Sequence, residues 1–325
     1  MEIFKPDLEF FNHRLKNYKF PSSPKGLFEP VRYLLDLGGK RIRPLLVLAA
    51  NRAFNGSQDE ALHPALAVEM FHNFSLMHDD IMDGADLRRG EPTVHTKYNV
   101  NTAILSGDVM LIYAYKILIN LPEKSKVQCI EIFTKMAEEV CTGQQMDMDF
   151  EQSLEVSIMD YLKMIELKTS VLIGAALQMG AVVAGASTQD AYHLYQFGKN
   201  VGIAFQVQDD ILDTYGTTAA VGKNIGGDII NNKKTYLYLK ACKLLSESDA
   251  EKLHRLYSSD LENMEDKVKQ VKVLYKTSGV QHYADELKQE YKNLALSHLQ
   301  AVSGLESKGK AYFEEFADYL IKRDV

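Results

Sequence analysis

Apolar residues recur at spacings of three and four along most of the chain, which is the spacing of one face of an α-helix. The clearest runs are Val68, Phe71, Phe74 and Ile81; Phe197, Val201, Phe205 and Leu212; and Phe313, Phe316 and Leu320. All eight prolines lie at or before Pro122, so no proline interrupts a helix in the rest of the chain. The pattern predicts an all-α protein.

Short polar segments separate the predicted helices. They are Asn55–Ser57, Leu121–Glu123, Gly185–Ser187, Tyr215–Thr218, Ser246–Asp249 and Thr277–Gly279. Each has the length and composition of a helix–helix connection. Since no stretch has the composition of a flexible linker, we expect a single helical domain over residues 1–325.

Composition narrows the range of functions. The formal net charge is −7, so a nucleic-acid partner is not expected. The cysteines Cys129, Cys141 and Cys242 lack the spacing of a metal site and indicate structural thiols in a reducing compartment. The N-terminus lacks the apolar core of a signal peptide, and no uninterrupted apolar stretch approaches the ~20 residues of a membrane span. We expect a cytoplasmic protein.

The motif Asp-Asp-x-x-Asp occurs twice, 130 residues apart, within apolar helical sequence. Its two copies consist of Asp79, Asp80 and Asp83, and of Asp209, Asp210 and Asp213. On a helix the outer two aspartates of each copy project side by side, with Cβ atoms about 5–6 Å apart. Such pairs require a cation, and Mg²⁺ prefers one or two carboxylates together with substrate phosphates. A solvated acidic helix face is the alternative for one copy alone.

Cationic residues occur near the first motif. Gly38-Gly39-Lys40-Arg41-Ile42-Arg43-Pro44 places three cations after a glycine pair, and Arg88-Arg89 follows Asp83 by five residues. Lys40 and Arg43 are predicted to share a helix face at i, i+3. Arginine suits phosphate oxygens because its planar fork binds them in pairs. At 100° per residue, His72 lies on the stripe of the aspartates, although a core histidine is the alternative.

The two kinds of cluster suggest two diphosphate substrates. A diphosphate that departs needs its charge neutralised as it leaves, which metal ions do well. A diphosphate that stays needs only cationic side chains. An acidic protein with both kinds of cluster is therefore expected to bind two diphosphates, one that departs and one that stays on its substrate.

Taken together, these motifs resemble the trans-prenyl diphosphate synthase family, which includes the farnesyl and geranylgeranyl diphosphate synthases. The likeness runs from about Gly38 to the C-terminus and adds Gly107-Asp108, Gly143-Gln144-Gln145-Met146-Asp147, Lys168-Thr169, Phe205-Gln206 and Gly222-Lys223. The resemblance implies a single bundle of antiparallel helices around a deep central cavity, and a homodimer. It also implies that an allylic diphosphate ionises, condenses with isopentenyl diphosphate and loses a proton.

The resemblance further implies a role for each matching residue. Three Mg²⁺ ions would be ligated by Asp79, Asp83 and Asp209, with support from Asp80, Asp210 and Asp213. The allylic diphosphate would be held by Arg88, Lys168, Thr169, Lys223, Gln206 and Lys233. Isopentenyl diphosphate would be held by Lys40, Arg43, His72 and Arg89, with help from Arg323. The first metal pair would be bordered by Gln144 and Asp147.

Product length is expected to depend on the side chains beneath the first motif. Phe74 lies about 7.5 Å back along the helix from Asp79, and Phe71 about 12 Å. An aromatic residue at the nearer position, followed by Ser75, resembles geranylgeranyl-type enzymes, so we expect a C20 product. A C15 product is the alternative, and simple core packing is the alternative for both phenylalanines.

Three other functions are alternatives for parts of this pattern. A class I terpene cyclase shares the first aspartate motif but normally has a different second metal motif and no clamp for a second substrate. His78-Asp79 also matches the histidine–aspartate pair of a phosphohydrolase, which would need further dispersed histidines. An inactive regulatory subunit typically loses aspartates from one motif, whereas both motifs are complete here.

Overall fold

The structure is a computed structural model that describes residues 4–153, 155–216, 226–258 and 263–321. Its helices are α1 (Lys5–Lys16), α2 (Lys25–Asp36), α3 (Ile42–Ala53), α4 (Gln58–Met82), α5 (Val94–Lys97), α6 (Val100–Leu118), α7 (Glu123–Gln152), α8 (Ile158–Ile165), α9 (Val171–Ala184), α10 (Thr188–Tyr215), α11 (Gly227–Ile230), α12 (Tyr236–Leu244), α13 (Glu247–Ser258), α14 (Met264–Ser278), α15 (Val280–Ala301) and α16 (Ser307–Ile321). The strands β1 (Leu87–Arg88) and β2 (Glu91–Pro92) form one short antiparallel pair. The prediction of an all-α protein is confirmed.

The predicted polar breaks coincide with helix ends where they lie within the described residues, and Thr217 and Thr218 of one break lie outside them. Asn55–Ser57 lies between α3 and α4, and Gly185–Ser187 lies between α9 and α10. Ser57 caps α4 because its side chain accepts a hydrogen bond from the Glu60 backbone N–H. Gly279 separates α14 from α15 with φ at 67°, a left-handed conformation that glycine adopts without strain.

A π-helical turn, Glu166–Ser170, joins α8 to α9. The combined stretch Ile158–Ala184 is long and apolar enough to cross a membrane, judged by length and composition alone. Within its apolar window, however, 78% of the residues are buried inside the protein. This degree of burial is typical of a helix in a protein core.

The chain divides into two compact units, and the first comprises the residues up to Ala137 together with Ala175–Tyr192. In this unit α4 packs most extensively against α6 and α3. α9 also lies close to α3, because a Cβ on Gly180 would be only 2.2 Å from the Val47 carbonyl oxygen. Helix α4 therefore has neighbours that position the residues of the first aspartate motif.

The second unit comprises Glu138–Gly174 and the residues from His193 onward. Helix α12 is central in it and packs against α8, α13, α14 and α15. A buried lysine also belongs to this unit: Lys267 of α14 donates to the Asn232 side chain at 2.5 Å and to the Ile230 carbonyl at 3.4 Å. These bonds hold the segment that follows α11. A single domain over residues 1–325 stays a prediction.

Candidate active site

The outer aspartates of the first motif lie on one face of α4. Asp83 is the C-cap of α4 and retains right-handed helical geometry, and its N–H donates to the Asp79 carbonyl at 2.8 Å. The i, i+4 relationship therefore holds to the end of the helix. Asp79 is half-buried, whereas Asp83 is exposed.

The middle aspartate of this motif pairs with an arginine. Asp80 is buried, and its two carboxylate oxygens accept hydrogen bonds from Arg88 Nε at 2.7 Å and Arg88 Nη2 at 2.6 Å. A bidentate pair of this kind fixes the plane of the guanidinium group. Asp80 therefore orients Arg88, and the second terminal nitrogen of Arg88 lies outside the pair.

His72 lies among arginines. Arg43 Nη1 is 3.2 Å from His72 Nε2, and both side chains are largely enclosed by protein. Burial, and then the positive charges of Arg43, Arg89, Arg88 and Arg41, lower the pKa of His72 well below its ordinary value of 6.5. Burial also lowers the pKa of Arg43 to about 10, which keeps it cationic at neutral pH. A neutral imidazole therefore accepts a hydrogen bond from a charged guanidinium group.

The glycine-rich segment before α3 has an irregular backbone. Gly38, Gly39 and Arg41 have φ angles of 80°, 128° and 51°. Helix α3 begins only at Ile42, after the left-handed Arg41, so the prediction that Lys40 and Arg43 share a helix face is wrong. The physical reason is that a left-handed residue is incompatible with continuing a right-handed helix.

Arg41 and Glu69 form a buried ion pair that the sequence reasoning missed. Arg41 also donates to the Leu35 carbonyl at 2.6 Å, which ties the segment before α3 to the end of α2. In addition, Arg89 donates to the Gly38 carbonyl. Arg41 lies within the motif that was singled out, but its pairing across 28 residues has no signal in local sequence.

Phe71 and Phe74 form an aromatic contact below the first motif. Their ring centroids are 5.5 Å apart, and Phe133 of α7 meets Phe71 edge-to-face at the same distance. Both phenylalanines are buried. Their assignment as the floor of a product cavity stays a prediction.

In the second unit the outer aspartates lie on α10, where both are half-buried. The Asp213 carboxylate accepts a hydrogen bond from the Asp228 backbone N–H at 3.0 Å, at the start of α11. The Asp213 carbonyl accepts from the Gly226 N–H at 2.7 Å. Asp213 therefore holds the beginning of the segment that carries Lys233.

The middle aspartate of the second motif is also buried. Asp210 accepts hydrogen bonds from the Tyr161 hydroxyl and from the Gln206 side chain. Burial, and then the nearby carboxylate of Asp228, raise its pKa well above the ordinary value. Like Asp80, Asp210 engages protein partners on the inner side of its helix.

Lys168 lies on the π-helical turn and donates to Asp147 at 2.6 Å. The turn lies close to α7, since a Cβ on Gly143 would be 2.3 Å from the Lys168 backbone nitrogen. Single π-turns inside helices often occur at functional sites. Gly143 therefore allows the approach that brings Lys168 to Asp147.

A cavity of about 160 Å³ collects most of the predicted residues of the second unit. Among its lining residues are Asp147, Lys168, Thr169, Gln206, Asp210 and Lys233. Lys234 also lines it and donates at 2.7 Å to the carbonyls of Phe150 and Ser153, at the end of α7. Lys223 and Arg323, which were also predicted for the site, lie outside the described residues.

The carboxylates suit Mg²⁺ only together with a phosphate ligand. Among the described residues, no three His, Cys, Asp or Glu side chains are grouped so that they could hold a metal ion. Asp79 and Asp83 supply two carboxylates from one face, and Mg²⁺ typically takes one or two carboxylates and completes its shell with water and substrate phosphate. The first motif therefore fits Mg²⁺ in complex with a diphosphate.

An all-α chain with two helical carboxylate pairs, an arginine cluster around a neutral histidine and a lysine-lined cavity has the features of an enzyme that acts on diphosphates. Residues 24–275 match the polyprenyl synthetase family, and the chain belongs to that family.

Relatives of known name match nearly the whole chain. It is 36% identical to a geranylgeranyl pyrophosphate synthase of Geoglobus acetivorans, with 99% of each chain covered. It is 35% identical to a geranylfarnesyl diphosphate synthase of Aeropyrum pernix, over 90% of this chain and 92% of that one. A solved structure of a geranylgeranyl pyrophosphate synthase superposes with a TM-score of 0.94 at 43% identity, covering 99% of both chains.

These matches confirm the predicted family and the all-α isoprenoid synthase fold. The chain is a short-chain prenyl diphosphate synthase, a prenyltransferase whose substrates are isopentenyl diphosphate and an allylic diphosphate. Enzymes of this family generally depend on Mg²⁺.

Proposed function

We propose that this prenyltransferase extends allylic diphosphates with isopentenyl diphosphate up to the C20 product, geranylgeranyl diphosphate. The observation that carries the proposal is the buried contact of Phe71 with Phe74, one to two turns below Asp79. These two rings, tilted against each other, would close the space that a growing chain needs. The names of relatives support C20 but do not decide it, because the Aeropyrum pernix relative is named for a C25 product.

Isopentenyl diphosphate would bind to Lys40, Arg43, His72 and Arg89. Support comes from the enclosure of Arg43 and His72 and from the lowered pKa values of His72 and Arg89. Burial lowers both pKa values, and neighbouring arginines lower them further, so a diphosphate would relieve this repulsion. A neutral His72 can accept from Arg43 through Nε2 and donate through Nδ1. This subsite needs no metal ion.

Within the second unit, the allylic diphosphate would bind to Lys168, Thr169, Gln206 and Lys233, which line one cavity. Arg88 and Lys223 stay predicted ligands of the same diphosphate. Asp79, Asp83 and Asp209 would hold three Mg²⁺ ions that neutralise the departing diphosphate when bound. Asp80 fixes the orientation of the Arg88 guanidinium group, and Asp147 fixes the position of the Lys168 ammonium group. Fixed donors of this kind stabilise charge as it develops on the leaving group without having to reorganise.

The reaction balances without an additional reactant. The C–O bond of the allylic diphosphate breaks, the isopentenyl double bond forms a new C–C bond to the allylic carbon, and a proton is lost to give a trans double bond. The released diphosphate would accept this proton. The apolar walls at Phe71 and Phe74 exclude the water that would otherwise capture the allylic cation.

We also propose a homodimer formed through α6. Leu105, Ile112 and Ile119 recur every seven residues on or next to this helix and are 60%, 62% and 57% exposed. Ile104 and Val127 add further exposed apolar surface, at 40% and 61%. An apolar stripe of this length is typical of a surface that is covered by another protein chain. A cytoplasmic location stays a prediction.

The proposed product is tested by incubating the protein with labelled isopentenyl diphosphate, Mg²⁺ and C5, C10 or C15 allylic starters. The expected result is a C20 product from each starter, resolved by reversed-phase chromatography after dephosphorylation. A C15 or C25 end product would refute the proposed length while leaving the reaction class intact. Diphosphate release without isopentenyl diphosphate would instead indicate cyclase or hydrolase activity.

A further inference from the structure

His78 occupies a constrained position beside the proposed cavity floor. Its ring centroid is 4.8 Å from that of Phe74, in an edge-to-face contact along the same face of α4. Its Nε2 atom donates to the Ile104 carbonyl of α6 at 3.1 Å and lies 3.8 Å from Asp108 Oδ1. The imidazole is therefore held between α6 and the Phe74 ring.

Gly107 is the residue that makes room for this imidazole. A Cβ on Gly107 would lie 2.3 Å from His78 Nε2 and 2.6 Å from Cδ2. Carbon–carbon contacts are favourable at about 3.5–4 Å, so even a methyl group would displace the ring by roughly 1 Å. The glycine is required here by the close approach of the imidazole to α6.

On the side of Phe74 that faces Phe71, the surrounding side chains leave no space for the ring to move. Phe71 contacts Phe74 at 5.5 Å and is itself fully buried against Phe133. Tyr115 meets Phe133 at 5.0 Å and donates to Thr134, which closes this side further. The histidine side is therefore the adjustable boundary of the Phe74 ring.

We propose that His78, seated on Gly107, positions Phe74 and thereby sets the depth of the product cavity. This inference rests on the proposed C20 function and on the floor assignment of Phe74. His78 does not touch the reacting atoms in this account, so it acts as a positioning residue for chain length. It contacts the floor residue from the side nearer the first motif, with its ring backed by the α6 backbone.

Substitutions at the two positions are expected to shift product length in opposite directions. His78→Ala opens space between Phe74 and α6, so the Phe74 ring can tilt into that space and out of the path of the growing chain, and the fraction of products longer than C20 rises about tenfold. Gly107→Ala pushes the imidazole towards Phe74, so the C15 fraction rises. In the double variant the new methyl group occupies part of the vacated space, and the product profile returns towards that of the unmodified protein.

The test measures product distributions of His78→Ala, Gly107→Ala and the double variant at equal extent of conversion. His63→Ala is the matched control, because it is the same substitution in α4 about 22 Å away. A Phe74→Ala background shows whether the effect passes through Phe74: adding His78→Ala there is expected to change nothing. His78→Asn replaces His78→Ala if the latter does not fold, with the same expected lengthening.

An unchanged product profile for His78→Ala or its replacement would overturn the inference. So would a Gly107→Ala defect that His78→Ala does not relieve, or further lengthening in the Phe74→Ala background. The proposed function has its own readout in the same assay: if the unmodified protein makes no C20 product, that function fails. If the unmodified protein makes C20 and the variants give the same product profile, only the inference fails.

Discussion

Replacing Asp80 by asparagine tests whether the first motif fixes the orientation of the Arg88 guanidinium group. Both Asp80 oxygens accept from Arg88, and the Asp80 side chain is 2% exposed while that of Arg88 is 24% exposed. The new amide turns an N–H group towards the guanidinium and leaves that charge without its partner. Breaking a buried ion pair costs about 3–5 kcal/mol; because water reaches part of Arg88, we expect about 3 kcal/mol.

The kinetic effect of Asp80→Asn follows because the Arg88 guanidinium group is no longer held in a fixed orientation. A misplaced donor typically lowers turnover about a hundredfold, so we expect kcat to fall by that factor while the KM for isopentenyl diphosphate stays unchanged. Steady-state kinetics with one allylic starter and urea unfolding measure both effects. Asp59→Asn is the control, since Asp59 pairs with Arg14 at the exposed surface, where such pairs contribute less than about 1 kcal/mol.

The contrary result would be an Asp80→Asn protein with the stability and turnover of Asp59→Asn. In that event the bidentate pair would contribute little to stability or to turnover, and the assignment of Asp80 as the residue that orients Arg88 would fail. A fall in stability without a fall in kcat would limit Asp80 to a structural role.

Three further predictions concern other parts of the first unit. Phe74→Ala is expected to lengthen the product, measured by chromatography, and additional replacement of Phe71 to lengthen it further. Because the pKa of His72 is lowered in the folded state, the unfolded state binds more protons below pH 6.5. The free energy of unfolding should therefore decrease as the pH is lowered from about 7.5 to about 5. His72→Gln should make this decrease smaller, as measured by denaturation across the same pH range. Ile112→Glu is expected to convert dimer to monomer in sedimentation analysis, whereas an unchanged mass would exclude α6 as the interface.

The sequence predicted most of the fold because helical periodicity and polar breaks are local signals. Asn55–Ser57 and Gly185–Ser187 mark helix ends in the structure, as their composition indicated. The i, i+4 pairing of Asp79 and Asp83 likewise follows from helix geometry alone. The family resemblance then assigned roles to the remaining predicted site residues by their motifs, and these roles stay predictions.

The errors and omissions arise from contacts that are not local. The left-handed Arg41 keeps Lys40 out of helix α3, which begins at Ile42, and single residues of this kind leave no trace in apolar periodicity. The pairing of Asp80 with Arg88 was also missed, because the motifs assigned Asp80 to the support of metal ions and Arg88 to the allylic diphosphate. The fit of His78 against Gly107 depends on two helices that meet in space, which only the structure shows.

The central claim is that one diphosphate is held by metal ions and the other by cationic side chains alone. Titration calorimetry with an unreactive allylic thiolodiphosphate and with isopentenyl diphosphate, each with and without Mg²⁺, tests it most directly. We expect the allylic analogue to bind tightly only with Mg²⁺ and to lose this dependence in Asp79→Ala, whereas isopentenyl diphosphate should bind without the metal. Allylic binding that is equally tight without Mg²⁺, or unchanged in Asp79→Ala, would contradict it.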